Sequence, residues 1–269
     1  MTRVAVLMFP GTNCMAETAD ALRAAGAEAE IRRWNHRSAK MSRYDAYVVA
    51  GGFAYEDRVR AGAIAAKHAI LDVLVEAAAL GKPVLGVCNG AQVLVEAGLV
   101  PALEPGHVEV ALARNRVDGW DGYYCGWVFL SASAERGFLA GLPSNLPMPV
   151  GHGEGRFTGE APLFDRLEAA GQIPLRYAND DGSYACAFPA NPNGSDRAAA
   201  ALCNGAGNVV ALMPHPERAA WLYQVPETLP GPWGERRRRA RGAELRGPGP
   251  GRVLYERLVQ GARAVGGLR

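Results

Sequence analysis

Residues 83–92 read PVLGVCNGAQ, and the fold turns on that stretch. A short apolar run passes into Gly86-Val87-Cys88-Asn89-Gly90 and then into a helix-compatible segment. This is a strand, a tight turn and a helix, with cysteine at the centre of a G-x-nucleophile-x-G elbow. The central residue of such a turn takes strained backbone, and small flanking residues let helix and strand close on each other. Its sulfur is expected to stand exposed above the sheet edge, with the N-terminus of the following helix favouring the thiolate. The alternative is an ordinary buried cysteine, since free thiols are often buried. Glycines on both sides at spacing two favour the nucleophile.

Upstream, residues 4–8 form a short apolar run ended by Pro10-Gly11, as for a buried first strand. Met15, Ala19, Leu22 and Ala25 share one helical face, and Gly26 stops that helix. Residues 28–33 and 46–50 read as strands, the second running into Gly51-Gly52. Residues 61–80, alanine-rich and periodic, predict one continuous helix closed by Gly81-Lys82-Pro83. The order implies an α/β fold with a largely parallel central sheet and helices on both faces. In such sheets sites gather at the carboxyl ends of the strands, which puts Gly51-Gly52 and Cys88 at one edge.

Downstream, from about residue 108, the pattern changes to aromatic-rich strands and turns. Residues 209–213 form another buried strand, which delivers Pro214-His215-Pro216-Glu217. The segment 224–251 is rich in Pro, Gly and Arg, with four consecutive arginines at 236–239. It is expected to be an insertion or solvated loop, a docking surface for an acidic partner being the sharper alternative. Residues 251–266 predict a closing helix, and 1–269 is read as one domain without internal repeats.

Lys+Arg number 29 against 27 Asp+Glu, so the net charge of +2 gives no global field for nucleic acid or an anionic membrane. No signal-peptide core and no membrane-crossing run is evident. The five cysteines, Cys14, Cys88, Cys125, Cys186 and Cys203, are odd in number and never in a C-x-x-C pair. That pattern argues against a disulfide framework or structural zinc and for a cytoplasmic protein. Neither G-x-x-x-x-G-K-[ST] nor G-x-G-x-x-G after a strand occurs, so nucleotide use by this chain is unsupported. Cys14 lies near a helix start, where its pKa could fall, but its sequence neighbours offer no base.

A thiol nucleophile needs a base, and the base needs a partner to fix its tautomer. His215 and Glu217, two apart on a proline-stiffened turn, point to the same side and can converge. Metal ligation is the competing reading, and His152-Gly-Glu154 repeats the spacing. With no H-E-x-x-H helix or cysteine pair nearby, no metal is expected. Acyl chemistry also needs donors at the developing oxyanion. Gly51, Gly52 and Phe53 supply candidate backbone N–H groups, with Asn89 after the nucleophile as the other. A cysteine, a base with its carboxylate and an oxyanion loop together spell acyl transfer through a thioester.

The blocks GVCNGAQ and PHPE resemble the class I (triad-type) glutamine amidotransferases, of flavodoxin-like architecture. FPGTNC (9–14), GGFAYEDRVRAG (51–62), HGEGRF (152–157), NPNGS (191–195) and MPHPER (213–218) are most similar to those serving phosphoribosylformylglycinamidine synthase. The resemblance implies that Cys88 attacks the side-chain amide of glutamine, with His215 as base and Glu217 as its orienter. It implies oxyanion donors at Gly52 and Asn89 and a glutamine contact at Gln92, for which a plain helix-surface role is the alternative. It further implies that ammonia passes to a synthetase subunit, which uses ATP and Mg to convert formylglycinamide ribonucleotide to the amidine in purine synthesis. This chain would then need no cofactor of its own, and a small third subunit would complete the assembly. Met15 stands where an acidic residue is expected, and Glu56-Asp57-Arg58 where a glycine-containing loop is expected. The rival readings are an amidotransferase serving another synthetase, a cysteine-elbow protein without this activity, and an interaction subunit with a dead site.

Overall fold

Nine strands form one sheet whose order decides where the site lies. The computed structural model describes residues 1–267 apart from 37–38 and 118–119. The strands are β1 (Arg3–Met8), β2 (Glu28–Arg33), β3 (Ala46–Val49), β4 (Val84–Val87), β5 (Tyr124–Ala132), β6 (Leu146–His152), β7 (Leu175–Ala178), β8 (Ala199–Cys203) and β9 (Val209–Leu212). They lie in the order β2-β1-β3-β4-β9-β8-β7-β5-β6. From β2 to β9 each neighbouring pair is parallel, and from β9 to β6 each is antiparallel. The parallel α/β half is the one expected from the sequence, and the aromatic-rich strands extend it.

β3, β4, β7, β8 and β9 are buried at every position. Successive side chains point to opposite faces, so both faces of that region are covered. The covering helices are α1 (Met15–Ala24), α2 (Ile70–Ala79), α3 (Asn89–Glu96), α4 (Ala161–Ala169), α5 (Pro232–Arg239) and α6 (Arg252–Gly266). α6 buries Leu254, Tyr255, Leu258, Val259 and Ala262, an apolar stripe at helical spacing, and packs on α1. No helix among the described residues is long and apolar enough to cross a membrane.

The single helix expected over 61–80 is interrupted. A 3-10 turn at Ala65–Lys67 is followed by extended backbone at His68 (φ −80°, ψ 141°), and α2 begins at Ile70. The His68 ring sits 4.3 Å from that of Trp34 and stacks at 5.4 Å on Tyr55, whose hydroxyl is 2.6 Å from Nε2. These long-range contacts outweigh the local preference of alanine for helix, which is worth only a few tenths of a kcal/mol per residue.

The segment 224–251 likewise carries more order than a solvated loop. It contains α5 and a 3-10 turn at Gly242–Arg246. Leu222, Val225, Leu229 and Ala240 form a small apolar cluster against Trp127, Phe129, Trp233 and Leu245. The arginine run is partly tied down. Arg237 pairs with Glu227 at 2.9 Å, Arg238 donates to the Glu227 carbonyl at 2.6 Å, and Arg236 lies over Trp233.

The elbow between β4 and α3 shows why its flanking residues are glycines. A Cβ on Gly90 would lie 1.9 Å from the Val49 carbonyl oxygen, and one on Gly86 would lie 2.4 Å from the Gly90 carbonyl oxygen. Both obstacles are backbone, which cannot rotate away. Gly90→Ala should therefore destabilise the protein by about 3 kcal/mol or more. Gly205→Ala, where an added Cβ meets nothing within 4 Å, should change stability by less than about 0.5 kcal/mol. Urea denaturation of the two variants beside wild type checks the contrast.

Candidate active site

Four adjacent parallel strands deliver the chemistry to one edge. Cys14 follows β1, Gly51 and Gly52 follow β3, Cys88 follows β4, and His215 follows β9. Because β1, β3, β4 and β9 are neighbours in register, their carboxyl ends converge. Cys88 has φ 49° and ψ −108°, a conformation that side chains disfavour. Its N–H donates to the Leu212 carbonyl at 2.7 Å, and its own carbonyl accepts from Ala91 and Gln92. The turn is thus over-determined from both sides, which is how such strain persists.

The sulfur does not stand exposed as expected: Cys88 is 6% accessible. The edge strand β6 returns across the site, with the His215 N–H donating to the Pro149 carbonyl at 2.8 Å. The Cys88 thiol lies 3.7 Å from the Gly151 carbonyl oxygen at the end of that strand. Cys88 therefore lines a cavity of about 280 Å³, shared with Asn13, Cys14, Gly52, Phe53, Asp57, Gln92, Tyr123, Glu154, His215 and Arg218.

His215 and Glu217 do converge. The His215 Nδ1 lies 2.6 Å from Glu217 Oε1, and both residues are buried. The other carboxylate oxygen accepts from the Tyr255 hydroxyl of α6 at 3.3 Å. Burial by itself would push His215 down, but the Glu217 carboxylate and the Cys88 thiol reverse this and hold it well above the usual histidine range. Burial would raise Glu217, yet the imidazolium charge and its hydrogen bond keep that carboxyl below its ordinary value. Tyr255 is driven far up by burial and the Glu217 charge, so it stays a hydroxyl donor. With Nδ1 committed to Glu217, His215 Nε2 is buried with no hydrogen-bond partner among the described residues.

The loop after β3 corrects one expectation. The Phe53 N–H donates to the Gly11 carbonyl at 3.0 Å, so it belongs to a backbone bridge with residues 11–13. Phe53 contributes its side chain to the cavity wall. Gly52, at φ 149°, leaves its N–H outside that bridge, and a Cβ there would lie 2.6 Å from the Asn13 nitrogen. Gly51 meanwhile accepts from the N–H groups of Asn13 and Cys14. Asn89 ties the loop to the elbow: Oδ1 accepts from the Ala54 N–H at 2.9 Å, and Nδ2 donates to Asp57 at 3.1 Å and Gln92 at 2.9 Å. Gln92 is buried, donates to the Glu154 carbonyl at 2.6 Å and lines the cavity, which removes the helix-surface alternative.

Cys14 is brought near a histidine that its sequence neighbours do not supply. Its sulfur lies within 4.8 Å of a His215 ring nitrogen, and Arg218 Nη2 donates to it at 3.1 Å. Burial raises its pKa, and the His215 contact only partly offsets this. Cys14, His215 and Glu217 are also the one group of metal-ligand atoms gathered within 4.8 Å among the described residues. Two of those atoms already engage each other. His152 is buried, its Nδ1 against Asn115 Oδ1, and burial plus the nearby His215 push it down to about 3. Asp57, Tyr123, Gly151 and Tyr255 were not singled out from the sequence as site residues. Tyr255 carries the helical spacing of a core residue and nothing that marks its partner.

With this geometry in hand, the likenesses to other proteins become specific. Residues 1–242 match the CobB/CobQ-like glutamine amidotransferase domain. The chain is 39% identical over 267 residues to the phosphoribosylformylglycinamidine synthase subunit PurQ of Methanothrix thermoacetophila, covering 95% of this chain and 96% of that one. It is 40% identical over 226 residues to the PurQ subunit of Pyrococcus furiosus, covering 83% and 92%. A chain in the structure of PurLQS from Thermotoga maritima superposes with a TM-score of 0.70 at 28% identity, over 96% of this chain and 98% of that one. The chain belongs to the CobB/CobQ-like glutamine amidotransferases, in the family of PurQ subunits of phosphoribosylformylglycinamidine synthase.

Proposed function

We propose that this chain is the glutaminase subunit of a phosphoribosylformylglycinamidine synthase, acting in the cytoplasm with a synthetase subunit and a small third subunit. The observation that carries the chemistry is the buried His215–Glu217 pair, 2.6 Å apart, beside a cysteine held in elbow geometry. The kinship with PurQ subunits supports the substrate and the partners.

In this reading His215 Nε2 takes the Cys88 proton as the sulfur attacks the side-chain carbonyl carbon of glutamine. The N–H groups of Gly52 and Asn89 receive the oxyanion. The imidazolium then gives its proton to the amide nitrogen, the C–N bond breaks, and ammonia leaves a γ-glutamyl thioester on Cys88. Water, deprotonated by His215, cleaves the thioester to glutamate and returns the thiol. Glu217 holds Nδ1–H and stabilises the imidazolium throughout. Ammonia goes to the synthetase, where ATP and Mg act. Both cysteines precede a helix, and Cys88 is preferred to Cys14 as nucleophile because it holds the strained elbow turn directly before the Asn89 N–H.

Three outcomes are expected. Cys88→Ala abolishes glutamate release from glutamine, while Cys14→Ala lowers it by less than about tenfold; equal loss in both would overturn the assignment of the nucleophile. Glutamate release by the lone subunit is low and rises at least roughly tenfold when the synthetase subunits are added. Comparable turnover with and without them refutes the gating. Glu217→Gln removes the charge that raises His215, so the imidazolium loses its proton at lower pH. The alkaline limb of the rate–pH profile should move to lower pH, with kcat down roughly 100-fold or more.

A further inference from the structure

Both carboxylate oxygens of Glu217 are engaged, but His215 takes only one of them. Oε1 faces His215 Nδ1 at 2.6 Å, while Oε2 accepts from the Tyr255 hydroxyl at 3.3 Å. Glu217 and Tyr255 are each 0% accessible, so bulk water can replace neither bond. The terminal torsion of a glutamate is soft. A carboxylate held at one oxygen alone could therefore swing its plane away from the imidazole.

Several contacts bring Tyr255 to that oxygen from the far end of the chain. α6 starts against the 3-10 turn Pro216–Ala219, which carries Glu217, and it packs on both that turn and α1. The Gly251 N–H donates to the Ala219 carbonyl at 2.7 Å, and the Gly249 N–H to the Ala220 carbonyl at 3.0 Å. Arg252 Nε donates to that second carbonyl as well, at 3.0 Å. A Cβ on Gly251 would run into the Pro216 carbonyl oxygen, so the helix start and the turn meet backbone to backbone. Tyr255 lies four residues after Gly251, about one helical turn on and along the same face. A phenylalanine there would fill almost the same space; what the tyrosine adds is a donor.

We propose that Tyr255 is a positioning residue: its hydroxyl fixes the plane of the Glu217 carboxylate so that Oε1 stays on His215 Nδ1 throughout the thioester chemistry. The hydroxyl also tempers the charge it holds. The positive end of its O–H dipole points at Oε2 and so opposes a proton on His215. Without that dipole the His215–Glu217 pair would keep its proton to higher pH. The other ionisable groups around the pair are His152 from β6, Cys14 ahead of α1, Glu17 on α1, Cys88 at the elbow, Arg218 on the turn and Arg252 on α6. Exchanging Tyr255 for phenylalanine leaves all of these in place, so a shift in that variant belongs to the hydroxyl.

This inference rests on the glutaminase reading for its rates and is tested apart from it by NMR. Glutamate release is followed against pH, with the synthetase subunits present, for wild type and Tyr255→Phe. A third chain carries meta-fluorotyrosine at position 255, whose more acidic hydroxyl donates more strongly. Tyr255→Phe should lower kcat roughly 3- to 10-fold while KM changes by less than about twofold. The limb of the profile that Glu217→Gln moves to lower pH should move to higher pH, by roughly half a unit or more. Fluorotyrosine should move that limb the other way, and it carries the test if Tyr255→Phe does not fold. In the lone subunit, the ring-nitrogen signals of labelled His215 should titrate with the same shifts. An unmoved limb in whichever variant folds, a change in KM alone, or full activity in a folded Tyr255→Phe would overturn the role of Tyr255. A wild type that releases no glutamate would instead remove the glutaminase reading, and the nitrogen signals would still decide what the hydroxyl does.

Discussion

Backbone meets backbone where α3 crosses β3, and the site depends on that contact. Gly90 lies so close to the Val49 carbonyl that no side chain fits between them, and Gly86 meets Gly90 in the same way. The approach brings the first turn of α3 against the carboxyl ends of β3 and β4. Asn89 can then reach the loop after β3, and Gln92 can reach Glu154. One methyl group at Gly90 would push α3 off β3 and draw Asn89 and Gln92 away from those partners.

The second constraint is electrostatic. His215 and Glu217 are both buried, and a charge taken from water is costly unless the surroundings replace its hydrogen bonds. Here Glu217 has the imidazole on one oxygen and the Tyr255 hydroxyl on the other, while Gln224 holds its backbone carbonyl. α6, remote in sequence, thereby completes the hydrogen bonding of the buried pair. The same edge keeps a positive residue at hand: Arg218 bridges Glu17 and the Cys14 sulfur. Cys14 is consequently a neighbour of His215 and is held by an arginine, while Cys88 has the strained turn.

Local pattern made the elbow, the first three strands and the His-Pro-Glu turn legible, because each depends on residues within a few positions. Glycine spacing identified Cys88, and proline-flanked His215 and Glu217 could be paired by their spacing alone. The places that could not be read are those governed by distant partners. His68 breaks the helix because Trp34 and Tyr55 claim its ring. Cys88 is covered because β6, more than fifty residues on, folds back over it. The Phe53 N–H is consumed by Gly11, forty-two positions earlier. Trp233 of α5 packs on the small cluster of Leu222, Val225, Leu229 and Ala240, which Trp127 and Phe129 of β5 also touch.

By itself the sequence determined the chemistry of the groups: a thiol, an imidazole and a carboxylate, each after a strand and each in a turn shaped by glycine or proline. Only the tertiary structure decided their company. Sheet order placed four strand ends side by side, which put Cys14 against His215 and Asp57 against Glu154 in one cavity. Residue type and spacing act through nearest neighbours along the chain. Burial, uncompensated charge and shared hydrogen bonds arise between segments far apart in it, so they exist only once the sheet has closed and water has left.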